Sequence, residues 1–303
     1  MSSQEEPVST STTTPDPVVV GIDGSPSSTR AVRWAALEAA RRNTRLSLLH
    51  VWTPVPASVP HAAALGAYED ALVAQARQWL ADAESVAREA APDVPTGSSL
   101  VEGSAAARLI GRSAAAQLIV LGSRGLGGFT GLVVGSVAVA VATHGHCPVV
   151  VVRGDDDEIV RQDGPVVVGV DGSPANRDAV RFAFAAAAAR SVPLVAVHAW
   201  SDLPLTTSWE LTTATDLVQQ HAAEELTTWL SAAHAEHPDV TVEPVIAHGG
   251  PAQVLLARAG AAQLLVVGSR GRGGFRGLLL GSTSQAMIYH AACPVAVVPS
   301  PPH

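Results

Sequence analysis

LIVLGSRGLGGFTGLVVGS spans residues 118–136, and LLVVGSRGRGGFRGLLLGS spans 264–282. Thirteen of these 19 positions are identical, at an offset of 146 residues. Each stretch opens on an apolar run that reads as a strand buried on both faces. Each closes on Gly-Ser at the head of a predicted helix. The connection between them has a fixed spacing: Gly122-x-x-Gly125, nine residues, then Gly135-Ser136, and likewise Gly268-x-x-Gly271, nine residues, then Gly281-Ser282. Glycine lets a backbone turn with positive φ and lets its N–H groups come close to a ligand. A helix start offers unpaired N–H groups and a partial positive charge, which suits a phosphate. The side chains of Ser136 and Ser282 add hydroxyl donors there, and Ser123-Arg124 and Ser269-Arg270 add further donors and charge.

Working outward, the rest of the chain repeats as well. VVVGIDGSP (18–26) returns as VVVGVDGSP (166–174), at an offset of 148. His50-Val51-Trp52 returns as His198-Ala199-Trp200, and His144-x-x-Cys147-Pro148-Val149 as His290-x-x-Cys293-Pro294-Val295. A period near 147 is far too long for a solenoid and indicates a duplicated domain. The change of offset places a small indel in a middle loop or helix. The boundaries predicted are a disordered Ser/Thr/Glu/Pro-rich tail at 1–16, domain 1 at 17–152, an acidic linker at 153–164 and domain 2 at 165–299.

Within repeat 1, strands are predicted at 18–22, 46–52, 96–101, 118–121 and 149–152. Helices are predicted at 27–42, 67–90, 104–116 and 136–145, the first with Ser25 as N-cap and Pro26 at N1. Strands alternating with helices imply parallel sheets with right-handed crossovers. The fold class is α/β: two tandem Rossmann-like or flavodoxin-like domains, each a five-stranded parallel sheet with helices on both faces. The last strands, 149–152 and 295–298, read as sheet edges that invite pairing.

Composition narrows the function. The 303 residues are 47% hydrophobic and 15% charged, with a net charge of −8. An acidic chain gives no electrostatic case for nucleic acid. All 19 basic residues are Arg. The lack of lysine excludes a Walker-type P-loop, a Schiff-base enzyme and a protein-kinase β3 lysine. Two cysteines make no disulfide framework, and they read as small buried hydrophobes. No apolar run reaches 18 residues unbroken, and no secretory signal is evident, so the expectation is a cytoplasmic chain without a membrane span. His50 and His198 read as packed or capping residues, and no metal-ligand spacing appears.

The loops are not the dinucleotide fingerprint, since Thr130 and Arg276 stand where its last glycine would be. The pattern G-x2-G-x9-G-[ST], following V-x-V-G-x-D-G-S and preceding C-P-V, resembles the universal stress protein family. The resemblance covers both repeats and is to the family's tandem, ATP-binding type. It implies that Asp23 and Asp171 contact adenine, with Val51 and Ala199 lining its pocket and Gly21 and Gly169 on the adjoining strand. It implies that Gly122, Gly125, Gly135 and Ser136, and equally Gly268, Gly271, Gly281 and Ser282, hold ribose and phosphates. Arg124 and Arg270 and the backbones of Val137 and Thr283 complement them. The ligand implied is ATP with Mg²⁺, one per repeat, in a nucleotide-dependent regulator acting on an unknown protein partner. A slow ATPase or autophosphorylating enzyme and a nucleotide-free partner scaffold are the alternatives. In this family the last strand makes the dimer contact, so the two repeats are expected to form an intramolecular pseudo-dimer. A homodimer of whole chains stays open.

Overall fold

The computed structural model describes residues 16–54, 66–125, 134–153, 163–200, 211–272 and 280–300; of 211–219 only the helical backbone is described. The predicted tail, most of the linker and the middle of both glycine loops lie outside these residues. In chain order the elements are β1 (Val18–Ile22), α1 (Pro26–Arg41), β2 (Leu46–Trp52), α2 (Gly66–Ala90), β3 (Thr96–Glu102), α3 (Ala105–Ser113), β4 (Leu118–Gly122), α4 (Ser136–His144) and β5 (Val149–Val152). The second repeat gives β6 (Val166–Gly169), α5 (Arg177–Arg190), β7 (Leu194–Trp200), α6 (Leu211–Glu236), β8 (Val242–His248), α7 (Pro251–Ala259), β9 (Leu264–Gly268), α8 (Ser282–His290) and β10 (Val295–Val298).

The two five-stranded halves join into one ten-stranded sheet, in the order β3-β2-β1-β4-β5-β10-β9-β6-β7-β8. All pairings within a repeat are parallel, and only β5 and β10 run antiparallel, with Val150 opposite Ala296. The strands expected to be edges are therefore the middle of the sheet and are wholly buried. The true edges, β3 and β8, are polar and mostly exposed, which blunts further pairing. In each half the strand order reverses between the first and fourth strands, so ligands are expected at their carboxyl ends.

Residues alternate between the two faces of each strand. Val18 and Val20 join the core under α1 and α2, and Val19 joins the core under α3 and α4. Both cores run through the two repeats without a break. Helix α1 starts as its sequence dictates: Ser25 caps it by accepting from the N–H of Ser28 at 3.1 Å, and Pro26 follows. In repeat 2 the corresponding Ser173-Pro174 opens a 3₁₀ turn, Pro174–Asn176, before α5. The cause is Asn176 in place of Ser28. Its amide donates to Gly169 O at 3.1 Å instead of leaving a backbone N–H to the cap. Gly111 lies exposed in α3 with no atom within 4 Å of an added Cβ. Gly111→Ala is therefore expected to raise stability by about 0.5–1 kcal/mol, read as a shift of the urea midpoint.

The repeats are stitched beneath the sheet by one carboxylate. Glu38 is 1% exposed. Its two oxygens accept from Arg42 Nε at 2.6 Å and from Arg190 Nη2 at 2.5 Å. These arginines are equivalent in the two repeats, while the counterpart of Glu38 is Ala186. Each guanidinium also crosses the seam onto an aromatic ring, Arg42 over Phe182 at 5.1 Å and Arg190 over Trp34 at 5.8 Å. Burial alone would raise the Glu38 pKa, but Arg190 and Arg42 outweigh it and hold the carboxyl below its ordinary value.

Candidate functional site

At the carboxyl ends of β1 and β4 lies a cleft of about 1050 Å³. Its polar end is built by three short segments. The first is the turn after β1, where Asp23 Oδ1 accepts from the N–H of Ser25 at 3.0 Å and from its hydroxyl at 2.7 Å. Gly24 follows at φ +80°, with its α-carbon against the indole of Trp79 from α2. The second is the exit of β4. Gly122 lies against the first turn of α1, where an added Cβ would stand 2.6–2.8 Å from Ser27 Oγ and backbone. Ser27 Oγ then accepts from the N–H of Arg124 at 3.3 Å. The third is the start of α4, where the N–H of Gly135 donates to Ser123 O at 2.8 Å and pins the far end of the glycine loop to β4.

Gly135 differs from the other glycines here. Its φ of −71° is open to any residue, and no protein atom lies closer than 3.9 Å to an added Cβ. Gly281 repeats this at φ −67°, with nothing nearer than 3.5 Å. Neither backbone strain nor packing calls for glycine at these two positions. Both are N-caps without a side-chain cap, so the first N–H groups of α4 and α8 have no cap partner. The opposite wall of the cleft is apolar, formed by Leu49, Val51, Leu109 and Leu121. Such a site can seat an anion at the helix start and a flat apolar group beyond it.

Comparison with known proteins bears on both halves. The universal stress protein family model matches residues 15–153 and again 164–299. The chain belongs to the universal stress protein family. A universal stress protein of Mycolicibacterium smegmatis is 37% identical over 288 residues, covering 93% of this chain and 96% of its own. One from Mycobacterium tuberculosis is 38% identical over 291 residues, covering 92% and 96%. In structure, a universal stress protein from Archaeoglobus fulgidus superposes with a TM-score of 0.67 at 21% identity, over 94% of this chain and 98% of its own, which bears on the fold alone. Among the described residues of this universal stress protein no helix is long and apolar enough to cross a membrane, and no cluster of acidic, His and Cys side chains is arranged to hold a metal.

All nine repeat 1 residues singled out from the sequence line the cleft: Gly21, Asp23, Val51, Gly122, Arg124, Gly125, Gly135, Ser136 and Val137. Their local reasons differ. Gly122 is needed by the close approach of β4 to α1, and Gly125 by the Asp23 carboxylate, whose Oδ2 would lie 2.3 Å from an added Cβ. In repeat 2 the structure keeps the same joints. Asp171 Oδ1 accepts from the N–H of Ser173 at 2.8 Å, Asp171 Oδ2 lies against Gly271, and the N–H of Gly281 donates to Ser269 O at 2.8 Å. Gly169, Ala199, Gly268, Ser282 and Thr283 occupy the matching places on β6, β7, β9 and α8. Arg270, by contrast, lines a separate pocket at the seam between the repeats. Arg272 is specific to this repeat: its N–H donates to Asp171 Oδ2 at 2.9 Å and its guanidinium lies 4.9 Å over Trp229.

Several neighbours were not singled out from the sequence. Trp79 and Trp229 back the Asp-Gly turns, with the buried His50 and His198 edge-on to them at 5.4 and 5.2 Å. Each His also holds the carbonyl just before the Asp, at 2.7 Å to Ile22 O and 2.8 Å to Val170 O. A carbonyl can only accept, so Nδ1 carries the proton and both imidazoles are packing residues of the turn. Trp79-Leu80 recurs as Trp229-Leu230 at an offset of 150, which was the available signal. The indel is thus two compensating changes around a fixed tryptophan, two residues gained before it and four lost between Leu230 and Pro238. Four residues are about one helical turn, so the helix face is kept. Ser27 had no repeat signal at all, since Ala175 is its counterpart.

Proposed function

We propose that this universal stress protein is an adenine-nucleotide-binding regulator that holds ATP in the cleft of repeat 1, with an equivalent site in repeat 2. The observation that carries this is the glycine at 135 and 281, which the protein's own backbone and packing leave unexplained. A Cβ there would project at the mouth of the helix start, where a phosphate needs close access to backbone N–H groups. On this reading the phosphates lie against Gly125, Gly135, Ser136 and the N–H of Val137, with Arg124 nearby. The adenine lies between Val51 and the apolar wall, next to Gly21 and Asp23. Mg²⁺ would arrive on the phosphates as their own counter-ion. In repeat 2, Asp171, Ala199, Gly271, Gly281, Ser282 and Thr283 take the same parts. The β5–β10 junction then makes the two repeats an intramolecular pair, and nucleotide state is passed to a protein partner through the cleft surface.

The test is Gly135→Asp, which the local geometry accommodates and which sets a carboxylate where the phosphates would lie. Calorimetric titration with Mg·ATP is expected to show loss of the repeat 1 site, at least about 100-fold in affinity, against a near-unchanged melting temperature. Equal ATP binding by the variant would remove this reading. Binding accompanied by phosphate release over many turnovers would instead favour the ATPase, and no binding by either protein would favour the scaffold.

A further inference from the structure

The seam between the repeats is asymmetric at one position. At the end of β5, Arg153 reaches across to repeat 2. Its Nε donates to Ala291 O at 2.8 Å and its Nη1 to Ile288 O at 2.9 Å. These are the last carbonyls of α8, where unpaired C=O groups and the negative end of the helix dipole favour a cation. The counterpart of Arg153 at the end of β10 is Pro299. The carbonyls that correspond to Ala291 O and Ile288 O are those of Gly145 and Ala142, at the end of α4. There the seam opens into a pocket of about 520 Å³, lined by Pro299, Gly145, Asp178, His144, His146 and Arg270 among others.

We infer that this pocket is a binding site for a guanidinium cation, which takes the place that Arg153 fills in the other half of the seam. The protein has already solved the chemistry once, in its own second copy: helix-end carbonyls at a closed seam, capped by a planar fork of N–H donors. The charge on the walls agrees. Asp178 stands where repeat 1 has Arg30, so the open half carries an acid where the filled half carries a base. Arg270 does not oppose the assignment, because its counterpart Arg124 stands beside Arg153 in the filled half and both are accommodated. Arg270 is also exposed and free of the seam's interior. The two histidines add hydrogen-bonding edges and are neutral at pH 8 at their ordinary pKa. The inference does not rest on nucleotide binding, since it uses neither the cleft nor the glycine loops.

The probes are free L-arginine, the capped tripeptide acetyl-Gly-Arg-Gly-amide and L-citrulline, titrated into the full chain at pH 8 and followed by calorimetry. Citrulline keeps the shape of arginine and loses the charge. One arginine per chain is expected to bind saturably, with citrulline silent. Pro299→Arg, which restores the residue of the other repeat, is expected to weaken arginine binding at least about tenfold, and Asp178→Arg to do the same without touching the β10 end. Tripeptide binding as tight as that of free arginine would identify an arginine side chain of another protein as the occupant; binding of free arginine alone would identify a small guanidine. Silence of the wild-type chain towards both, equal binding of citrulline, or undiminished binding in both variants would overturn the assignment.

Discussion

Glu38→Gln lowers the unfolding free energy of the chain by about 3–5 kcal/mol in urea denaturation at pH 7, because it leaves Arg190 charged and without a compensating anion in a site 2% exposed. The loss exceeds that of an ordinary ion pair for a geometric reason. A single carboxylate serves two equivalent arginines, and both guanidinium groups reach across the seam onto rings. Replacing Glu38 and Arg190 together by Met is expected to recover most of the loss, since a well-packed apolar pair needs no desolvated charge. The pH dependence has a definite sign. The Glu38 pKa is depressed in the folded chain, so its contribution is complete above the ordinary value of 4.5 and is lost as pH falls through the folded value. The gap between wild type and variant should therefore stay constant from pH 7 to about 5 and close below it. A gap that widened on acidification would contradict the pairing.

Gly24→Ala is the second large effect, a loss of about 2–5 kcal/mol. Two costs add. A φ of +80° is unfavourable for any residue with a Cβ, by about 1–2 kcal/mol. The new methyl would also lie 2.3–2.5 Å from the Trp79 indole, an overpacking cost of about 1–3 kcal/mol. Trp79→Leu in the Gly24→Ala background should return the second part and keep the first. That difference separates backbone strain from collision, and both are read as urea midpoints.

Much of this fold is visible in the chain itself, for reasons particular to it. Parallel strands buried on both faces are written as unbroken Val, Ile and Leu runs, so β1, β4, β5 and their copies stand out. Duplication turns an ambiguous glycine loop into a spacing seen twice. The pairing of β5 with β10 is less direct: four valines signal an edge in need of a partner, and nothing local says that the partner is the other repeat. The roles of the individual glycines are not legible, because Gly122 and Gly135 look alike in a spacing pattern. Only Ser27 pressed against Gly122, and the open space around Gly135, tell them apart. Glu38 was hidden for a similar reason. It lies 152 residues from Arg190, and its own repeat position in the second half is an alanine. The seam pocket depends on a single difference, Pro299 for Arg153, which carries no meaning until the seam is built.

The account turns on the cleft of repeat 1 and its copy holding adenine nucleotide. The most direct measurement is to denature the purified chain and quantify the released nucleotide by chromatography, for the wild type and for Gly135→Asp with Gly281→Asp. ATP approaching two per wild-type chain, and none from the double variant at an unchanged melting temperature, is the predicted result. A wild-type chain that releases no nucleotide and takes up none on later titration with Mg·ATP would contradict it.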